Sequence, residues 1–150
     1  MIIRRAVKED YASFVEIEKQ HPGLPCWSAD AFAKEENNPY SITLAAEKDG
    51  KSVAFLNFHI IRPEVEINLI AVDRNFLRQG IASKLIAKLR EYAKKSLCTS
   101  VILDVRADNG PALEFYKKEG FKVEGGRPKF YNDNGDALLM RAPVRKENAL

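Results

Sequence analysis

The fold is decided by residues 71–83, which read AVDRNFLRQGIAS. The apolar run that ends at Val72 is typical of a buried strand, and the basic residues Arg74 and Arg78 mark a turn. Gly80 then opens a helical pattern. The first turn of a helix has unpaired backbone N–H groups at its positive end, which suits a phosphate or pyrophosphate. An ordinary strand-to-helix turn has the same pattern, so this stretch alone leaves both interpretations open.

The length and composition of the chain are those of one globular domain. With 150 residues, 45% of them hydrophobic and 30% charged, the chain can bury a core, and we predict a single domain over residues 1–150. Apolar runs such as Val53–Leu56 and Leu69–Val72 have four residues, too few for a transmembrane helix. The N-terminus has no signal-peptide core, so we expect a cytoplasmic protein with no membrane partner.

The net charge and the two cysteines exclude few classes of function. The net charge of +3 fits an anionic small ligand, and the chain has no basic tract or stacking motif, so we expect no nucleic-acid partner. Cys26 and Cys98 are far apart in sequence, and we expect reduced thiols. Neither cysteine has metal-ligand spacing with His21 or His59, so we predict no metal site and assign no role to either histidine.

Hydrophobic periodicity predicts an α/β fold (an α+β mixed sheet) with helices on both faces. Asp49-Gly50 between two apolar runs is a strong hairpin signal, and Ser28 is a good N-cap. The predicted strands are Ile2–Val7, Ile42–Glu47, Ser52–Ile60, Glu64–Val72, Ser100–Arg106, Phe121–Glu124 and Ala137–Met140. The predicted helices begin at Tyr11, cover Ala29–Glu36 and Gly80–Ser96, and run from Asn109 to Gly120. The resulting order is β-α-α-β-β-β-α-β-α-β-β.

Two segments in the right order resemble the GNAT N-acetyltransferase superfamily. The segment INLIAVDRNFLRQGIASKLI is similar to its acetyl-CoA-binding motif, Gln/Arg-x-x-Gly-x-Gly/Ala, which falls here on Leu77–Ala82 with Leu77 as a departure. The downstream segment LDVRADNGPALEFYKKEGFK resembles the second half of the family core. PCWSADAF, LDVRADN and KFYNDNGDALLM further resemble the bacterial ribosomal-protein alanine N-acetyltransferase subgroup. The resemblance implies a GNAT-type fold over nearly the whole chain.

The resemblance also implies where acetyl-CoA, the expected cofactor and acetyl donor, would bind. Neighbouring strands of the family separate near Val72, and the cofactor fills the gap. The residues implied for the pyrophosphate are Arg78, Gln79, Gly80, Ile81, Ala82 and Ser83. Those implied for the pantetheine arm are the backbone of Ile70, Ala71 and Val72, together with Asn109. From the residues alone, the start of a helix is a strong explanation of Asn109.

Tyr116 and Asp104 are the first two candidate catalytic residues. Tyr116 has core aromatic neighbours, but the resemblance places it as the general acid that protonates the departing thiolate. Asp104 is a carboxylate inside an apolar strand, which a salt bridge with Arg106 would explain. It could instead accept the proton of an attacking amine. The subgroup has glutamate there, so the shorter aspartate favours a water relay.

Glu66 is a rival general base. Strand alternation puts Glu64, Glu66 and Asn68 on one face, which could equally be an exposed polar face. Trp27 and Tyr131, with Pro25, are candidate substrate-binding residues, although a single tryptophan is more often part of a core.

These expectations combine into direct acetyl transfer to a primary amine, here the N-terminal amine of a protein and in particular of a ribosomal protein. The expected partners are therefore acetyl-CoA and a protein or peptide N-terminus. A small amine or a lysine side chain are alternative acceptors. A non-catalytic sensor that binds coenzyme A is the competing class, but such a module needs neither Tyr116 nor a carboxylate in the core.

Overall fold

The structure, a computed structural model, describes residues 1–145, so residues 146–150 of the predicted domain lie outside the described part. Seven strands and four α-helices follow one another within these residues in the predicted order. This confirms the prediction of a mixed sheet with helices. The strands are β1 (Ile2–Arg5), β2 (Ser41–Lys48), β3 (Lys51–Ile61), β4 (Glu64–Val72), β5 (Ser100–Arg106), β6 (Lys122–Arg127) and β7 (Ala137–Pro143). The helices are α1 (Tyr11–Lys19), α2 (Ala29–Glu36), α3 (Ile81–Lys95) and α4 (Gly110–Lys118).

The bounds of the first and last strands differ from the predicted ones. β1 ends before Val7, because the Val7 N–H donates to the Asp10 carboxylate at 2.7 Å and a 3-10 turn starts there. β7 extends past Met140 because Arg141 pairs with Ile102 of β5 on one side and with β6 on the other. Long-range pairing of this kind is not visible in a local sequence pattern.

One sheet in the order β1-β2-β3-β4-β5-β7-β6 joins all seven strands. Every neighbouring pair is antiparallel except β4 and β5, which are parallel and connected through α3. The β2–β3 hairpin turns at Asp49 and Gly50, whose φ angles of 52° and 77° are those of a two-residue left-handed turn. Within residues 1–145, no helix is long and apolar enough to cross a membrane.

The two faces of the sheet are covered to different extents. On one face, α3 and α4 pack on a core that includes Leu85, Leu89 and Tyr116 from the helices and Val101 and Leu103 from β5. On the other face, α1 and α2 pack on β2, β3 and β4 through an aromatic cluster. The aromatic cluster contains Tyr11, Phe14, Phe32 and Phe55.

The aromatic cluster contains no residue of β5, β6 or β7 among those described, so that half of the second face has no helix over it. We call this half the open face. In β5 and β7, side chains alternate between the two faces, and the buried ones point into the α3 and α4 core. The residues between them therefore lie on the open face: Ile102, Asp104, Arg106, Leu139 and Arg141.

A β-bulge in β4 changes which residues face each core. Leu69 pairs with Asn57 and Ile67 pairs with Phe58, so Asn68 is an extra residue. Val65 and Ile67 therefore belong to the α3 core, whereas Leu69 and Ala71 belong to the aromatic cluster. The prediction that Glu64, Glu66 and Asn68 share one face is confirmed despite the bulge. The Asn57 side chain lies on that face, opposite Leu56 and Phe58 of the α3 core, and it contacts Asn68. The Asn68 amide donates to Oδ1 of the fully buried Asn57 at 3.0 Å.

Candidate active site

A gap opens in the sheet between β4 and β5. The two strands pair only from Glu64–Ser100 to Ile67–Leu103, although β4 continues to Val72 and β5 to Arg106. The separation expected from the family resemblance is therefore present. A gap of this kind leaves backbone hydrogen-bonding groups free for a ligand.

Strand alternation determines which backbone groups of β4 point into the gap. The Asp73 N–H donates to the Val53 carbonyl at 2.8 Å, so the polar groups of Asp73 and of Ala71 point towards β3. Those of Ile70 and Val72 consequently point into the gap. Among the three residues predicted for the pantetheine arm, Ile70 and Val72 offer backbone groups and Ala71 does not.

The C-terminal end of α1 holds the end of β4. His21 Nε2 donates to the Val72 carbonyl at 2.6 Å, and the Gln20 Oε1 atom accepts from the Arg74 N–H at 2.8 Å. His21 was given no role from the sequence. Because its partner is distant in the chain, no local pattern could have indicated this contact.

The turn between β4 and α3 offers a row of backbone donors. Asp73 accepts from the Asn75 N–H at 2.9 Å, and Arg78 and Gly80 have left-handed φ angles of 62° and 75°. Within residues 1–145, the N–H groups of residues 77–83 have no acceptor. A Cβ atom added at Gly80 would meet no atom within 4 Å, so the space above it is open. This arrangement suits an anion.

Two side chains of the predicted pyrophosphate site already have partners. The Ser83 hydroxyl donates to Glu119 Oε2 at 3.0 Å, and the Gln79 Oε1 atom accepts from Lys48 Nζ at 3.2 Å. Their contribution to an anion would therefore come from the backbone. Arg78 is exposed beside them and adds positive charge.

Asn109 caps α4 through its Oδ1 atom, which accepts from the Ala112 N–H at 3.1 Å. Its side chain is exposed, and its Nδ2 group donates to no residue in the described part. The two interpretations of Asn109 are thus compatible, because capping uses the oxygen and leaves the amide N–H groups for a ligand.

Tyr116 is buried in the α3 and α4 core, where it makes edge contacts with Phe115 and Phe121. Burial raises the pKa of its phenol well above the usual value. No group within residues 1–145 accepts from the hydroxyl, and its oxygen is not among the sealed unpartnered atoms. The ring is therefore a core residue, while the hydroxyl keeps its proton at neutral pH and is not completely sealed from solvent.

Asp104 lies on the open face, one residue beyond the last β4–β5 pair. The salt bridge with Arg106 that would have explained Asp104 is not formed, because Arg106 pairs with Asp108 and Asp133. The cation nearest to Asp104 is Arg127, whose Nε is 3.8 Å from Oδ1. That distance exceeds hydrogen-bonding range, and Oδ1 is sealed from solvent without a donor among residues 1–145.

Glu66 is exposed and has no ion-pair partner within residues 1–145. It pairs across the sheet with His59, which contacts Glu35 of α2 at 2.9 Å, and on the other side with Ile102. Asp104 is two residues beyond Ile102, so the Cα atoms of Glu66 and Asp104 are about 8 Å apart from strand geometry. Both candidate bases therefore lie on the same face, beside the gap.

Tyr131 lies next to Arg106 and close to Asp104. The Arg106 guanidinium lies over its ring at 4.8 Å. Burial raises the pKa of Tyr131, the negative charge of Asp104 raises it further, and Arg106 lowers it. The structure thus brings Tyr131 and Asp104 into electrostatic contact.

Trp27 lies in the neighbouring loop between α1 and α2. Its ring packs edge-on against Phe32 at 5.2 Å, which supports the interpretation of Trp27 as part of a core. The backbone N–H of Trp27 donates to Glu18 Oε1 at 3.1 Å. Pro25 is exposed two residues earlier.

Glu18 was not identified from the sequence as a buried carboxylate next to the site. It is buried with 6% of its surface exposed, its Oε2 atom has no partner within the described residues, and burial raises its pKa to about 7. The spacing of α1 could have indicated this burial. Glu18 follows Phe14 by four residues and Tyr11 by seven, so helical spacing puts it on the buried stripe of α1.

Among residues 1–145, no three His, Cys, Asp or Glu side chains are grouped so that they could hold a metal ion. Two surface hollows of about 380 and 410 Å³ lie at the other end of the sheet, near Ile61 and Leu97.

Comparisons with known proteins agree with the geometry. The profile of the acetyltransferase (GNAT) family matches residues 4–121. The chain is 34% identical over 146 residues, 96% of each chain, to a putative ribosomal protein bS18-alanine N-acetyltransferase of Bacillus subtilis. The crystal structure of the ribosomal-protein-S18-alanine N-acetyltransferase from Escherichia coli superposes with a TM-score of 0.84 at 26% identity, covering 99% of this chain and 96% of that one. Ard1 from Thermoplasma volcanium superposes with the same TM-score at 28% identity, covering 96% and 97%.

Proposed function

The chain belongs to the GNAT family and is an acetyl-CoA-dependent N-acetyltransferase, and we propose that its acceptor is the N-terminal amine of a protein. The relatives that are named for ribosomal protein bS18 and its alanine make a ribosomal-protein N-terminus the first candidate. A cytoplasmic location is part of the same proposal, because ribosomal proteins are made there.

The gap beyond the Ile67–Leu103 pair is the observation that carries the proposal, because the candidate bases Asp104 and Glu66 lie on the two strands that border it. Tyr116 belongs to the core on the α3 and α4 side of the sheet, and we place the candidate acid on that side of the gap. Asp104 and Glu66 lie on the opposite side, where no helix covers β5. An acceptor amine and a leaving thiol thus have separate approaches to one place.

The residues around the gap fit acetyl-CoA. The N–H groups of residues 77–83 and the charge of Arg78 would hold its pyrophosphate, and Ile70, Val72 and Asn109 would hold the pantetheine arm. Bound there, acetyl-CoA supplies an activated acetyl group as a thioester. The Val72 carbonyl accepts from His21 in this structure, so His21 contributes to the shape of this end of the gap.

The acceptor would approach over the open face. An N-terminal ammonium is attracted by carboxylates that lack an arginine partner at hydrogen-bonding distance, and both Asp104 and Glu66 meet this description. The amine must lose a proton before its nitrogen can attack. We assign the role of proton acceptor to Asp104, through a water molecule, because its side chain is shorter than the glutamate of the subgroup.

Tyr116 would hold the proton that the leaving thiolate needs. Its raised pKa keeps the phenol protonated at neutral pH, and its hydroxyl has no competing acceptor in the described residues. Trp27 and Tyr131 would contact the first residues of the acceptor, since their loops border the open face.

A panel of acceptors tests the proposal. The protein is incubated with acetyl-CoA and one of four acceptors, and mass gain and thiol release are followed. The acceptors are a peptide with the N-terminal sequence of bS18, the same peptide with a blocked N-terminus and an internal lysine, a peptide with a different first residue, and spermidine. We expect turnover of the free alanine peptide and little of the blocked peptide. Preferential turnover of the blocked peptide or of spermidine would contradict the proposed acceptor. Tight binding of coenzyme A with no turnover would favour the sensor alternative.

A further inference from the structure

Arg106 is the last residue of β5 and lies on the open face next to Asp104 in the sheet. Its guanidinium group is held by two carboxylates, with Nη2 at 2.8 Å from Asp133 Oδ2 and Nε at 3.1 Å from Asp108 Oδ1. A second bond from Nη1 to Asp133 Oδ1, at 3.1 Å, makes the Asp133 contact two-pronged. Because both neighbours are acidic, Arg106 has no free charge to offer to a ligand.

The loop between β6 and β7, residues 128–136, folds around this guanidinium group. The Tyr131 ring lies against it at 4.8 Å, and Asp133 holds it from the same loop. A Cβ atom added at Gly135 would be 2.4 Å from Arg106 Nη2, so the loop approaches more closely than any side chain would allow. The position of Tyr131 therefore depends on Arg106.

The loop between α1 and α2 rests on the other end of the same side chain. Gly23 has a left-handed φ of 93°, and a Cβ atom added there would be 3.3 Å from Arg106 Cδ. Trp27 is four residues further along this loop and is anchored at its own end by Phe32 and Glu18. The aliphatic stem of Arg106 thus contacts one loop, and its guanidinium group contacts the other.

We propose that Arg106 is a positioning residue for the acceptor, because it holds together the two loops that border the open face at Asp104. This inference rests on the proposed function, since it takes the open face as the acceptor side. Loss of the guanidinium group should loosen both loops and weaken acceptor binding. Arg106 forms no hydrogen bond or ion pair with the turn of residues 77–83 or with β4 in the described part, so acetyl-CoA binding should stay unchanged.

The two variants Arg106→Met and Arg106→Lys test the proposal. Methionine keeps most of the stem and removes all donors, whereas lysine keeps the charge and loses the two-pronged geometry. We expect the KM for the acceptor peptide to rise roughly tenfold to a hundredfold in Arg106→Met, and by less in Arg106→Lys. The KM for acetyl-CoA should stay within about twofold of the wild-type value.

Arg141→Met is the matched control. Arg141 lies at the far end of the open face, beside Ser100, and is also held by two carboxylates, Glu64 and Glu124. It has no recorded contact with either loop in the described residues. We expect the two variants to melt at similar temperatures and only Arg106→Met to raise the KM for the peptide. This result would show that Arg106 acts by positioning the loops and not through general stability. Equal effects of the two variants, or an equal rise in the KM for acetyl-CoA, would overturn the inference.

A second readout does not depend on the acceptor. Trp27 is the single tryptophan of the chain, so its emission reports on the α1–α2 loop. We expect Arg106→Met to shift this emission and Arg141→Met to leave it unchanged, and an unshifted spectrum in both variants would overturn the inference. Absence of wild-type turnover on every peptide would refute the proposed function, while the emission test would still decide whether Arg106 positions the loop.

Discussion

Arg127 Nε lies 3.8 Å from Asp104 Oδ1, which is an ion-pair distance but too long for a hydrogen bond. The Oδ1 atom is sealed from solvent without a donor in the described residues, although the side chain as a whole is 27% exposed. A buried acceptor without a partner costs roughly 1–3 kcal/mol, and more when it is charged. We infer that this carboxylate is kept at the edge of the gap for its function and not for the stability of the fold.

Replacing Asp104 with asparagine tests its role as a base. Asparagine has nearly the same shape but cannot accept the amine proton, so we expect kcat/KM for the peptide to fall about a hundredfold to ten-thousandfold. The KM for acetyl-CoA should not change. Glu66→Gln should have a smaller effect, because Glu66 is exposed. Glu124→Gln, which removes a carboxylate paired with Arg141, is the control. A large loss in Glu66→Gln with none in Asp104→Asn would transfer the role to Glu66.

Tyr116→Phe removes one oxygen atom from a buried ring. Because no group in the described residues bonds to that hydroxyl, we expect little change in the melting temperature. We expect kcat to fall about a hundredfold or more, while coenzyme A binds with an unchanged dissociation constant in calorimetry. The raised pKa of the phenol also means that Tyr116 contributes no alkaline loss of activity below its ordinary pKa of about 10. Tyr92→Phe, on α3, is the control. An unchanged kcat would exclude Tyr116 as the acid.

Much of the fold could be predicted from local patterns. Asp49-Gly50 indicated the hairpin, and Ser28 does cap α2, where its hydroxyl accepts from the Ala31 N–H at 3.2 Å. The apolar composition of Ser100–Arg106 also indicated a strand with Asp104 inside it, and the structure has β5 over the same residues. These features depend on residues close together in sequence, and the patterns contained the necessary information.

The parts that could not be predicted depend on residues that meet through the tertiary fold. Arg127 approaches Asp104 because β6 is placed beyond β7, and Arg106 is diverted to Asp133 by the β6–β7 loop. The bulge at Asn68 depends on the buried amide of Asn57 from another strand. A single sequence does not show which distant polar groups will be paired.

Gly80→Ala, compared with a control glycine, distinguishes an effect on the anion site from an effect of backbone strain. Gly80 has a left-handed φ of 75°, and alanine there should cost about 1–2 kcal/mol. Gly50→Ala is a close control, because Gly50 has a φ of 77° and, like Gly80, has no atom within 4 Å of an added Cβ. We expect similar falls in melting temperature for the two variants. Only Gly80→Ala should raise the KM for acetyl-CoA, since its new methyl group would occupy the approach to the N–H groups of residues 77–83. A raised KM in both variants would count against this location of the anion site.

The raised pKa of Glu18 predicts a specific dependence of stability on pH. Burial favours the neutral acid in the folded protein and raises the pKa to about 7 from an ordinary value near 4.5. Between these two values the folded state binds more protons than the unfolded state, so this group contributes stability at low pH that is lost as the pH rises through 7. Glutamine at this position does not ionise, yet it can still accept from the backbone N–H of Trp27.

We therefore expect the melting temperature of Glu18→Gln, measured relative to the wild type, to increase steadily from pH 4.5 to pH 7 and to level off above it. Any constant effect of the substitution, such as an unpaired amide group, cancels in this trend. Glu16→Gln removes an exposed carboxylate from the same helix and should parallel the wild type throughout. Thermal melts followed by Trp27 emission provide the measurement, because unfolding exposes the contact between Trp27 and Phe32. A difference between Glu18→Gln and the wild type that stays constant with pH would mean that Glu18 is already ionised in the folded protein at pH 5.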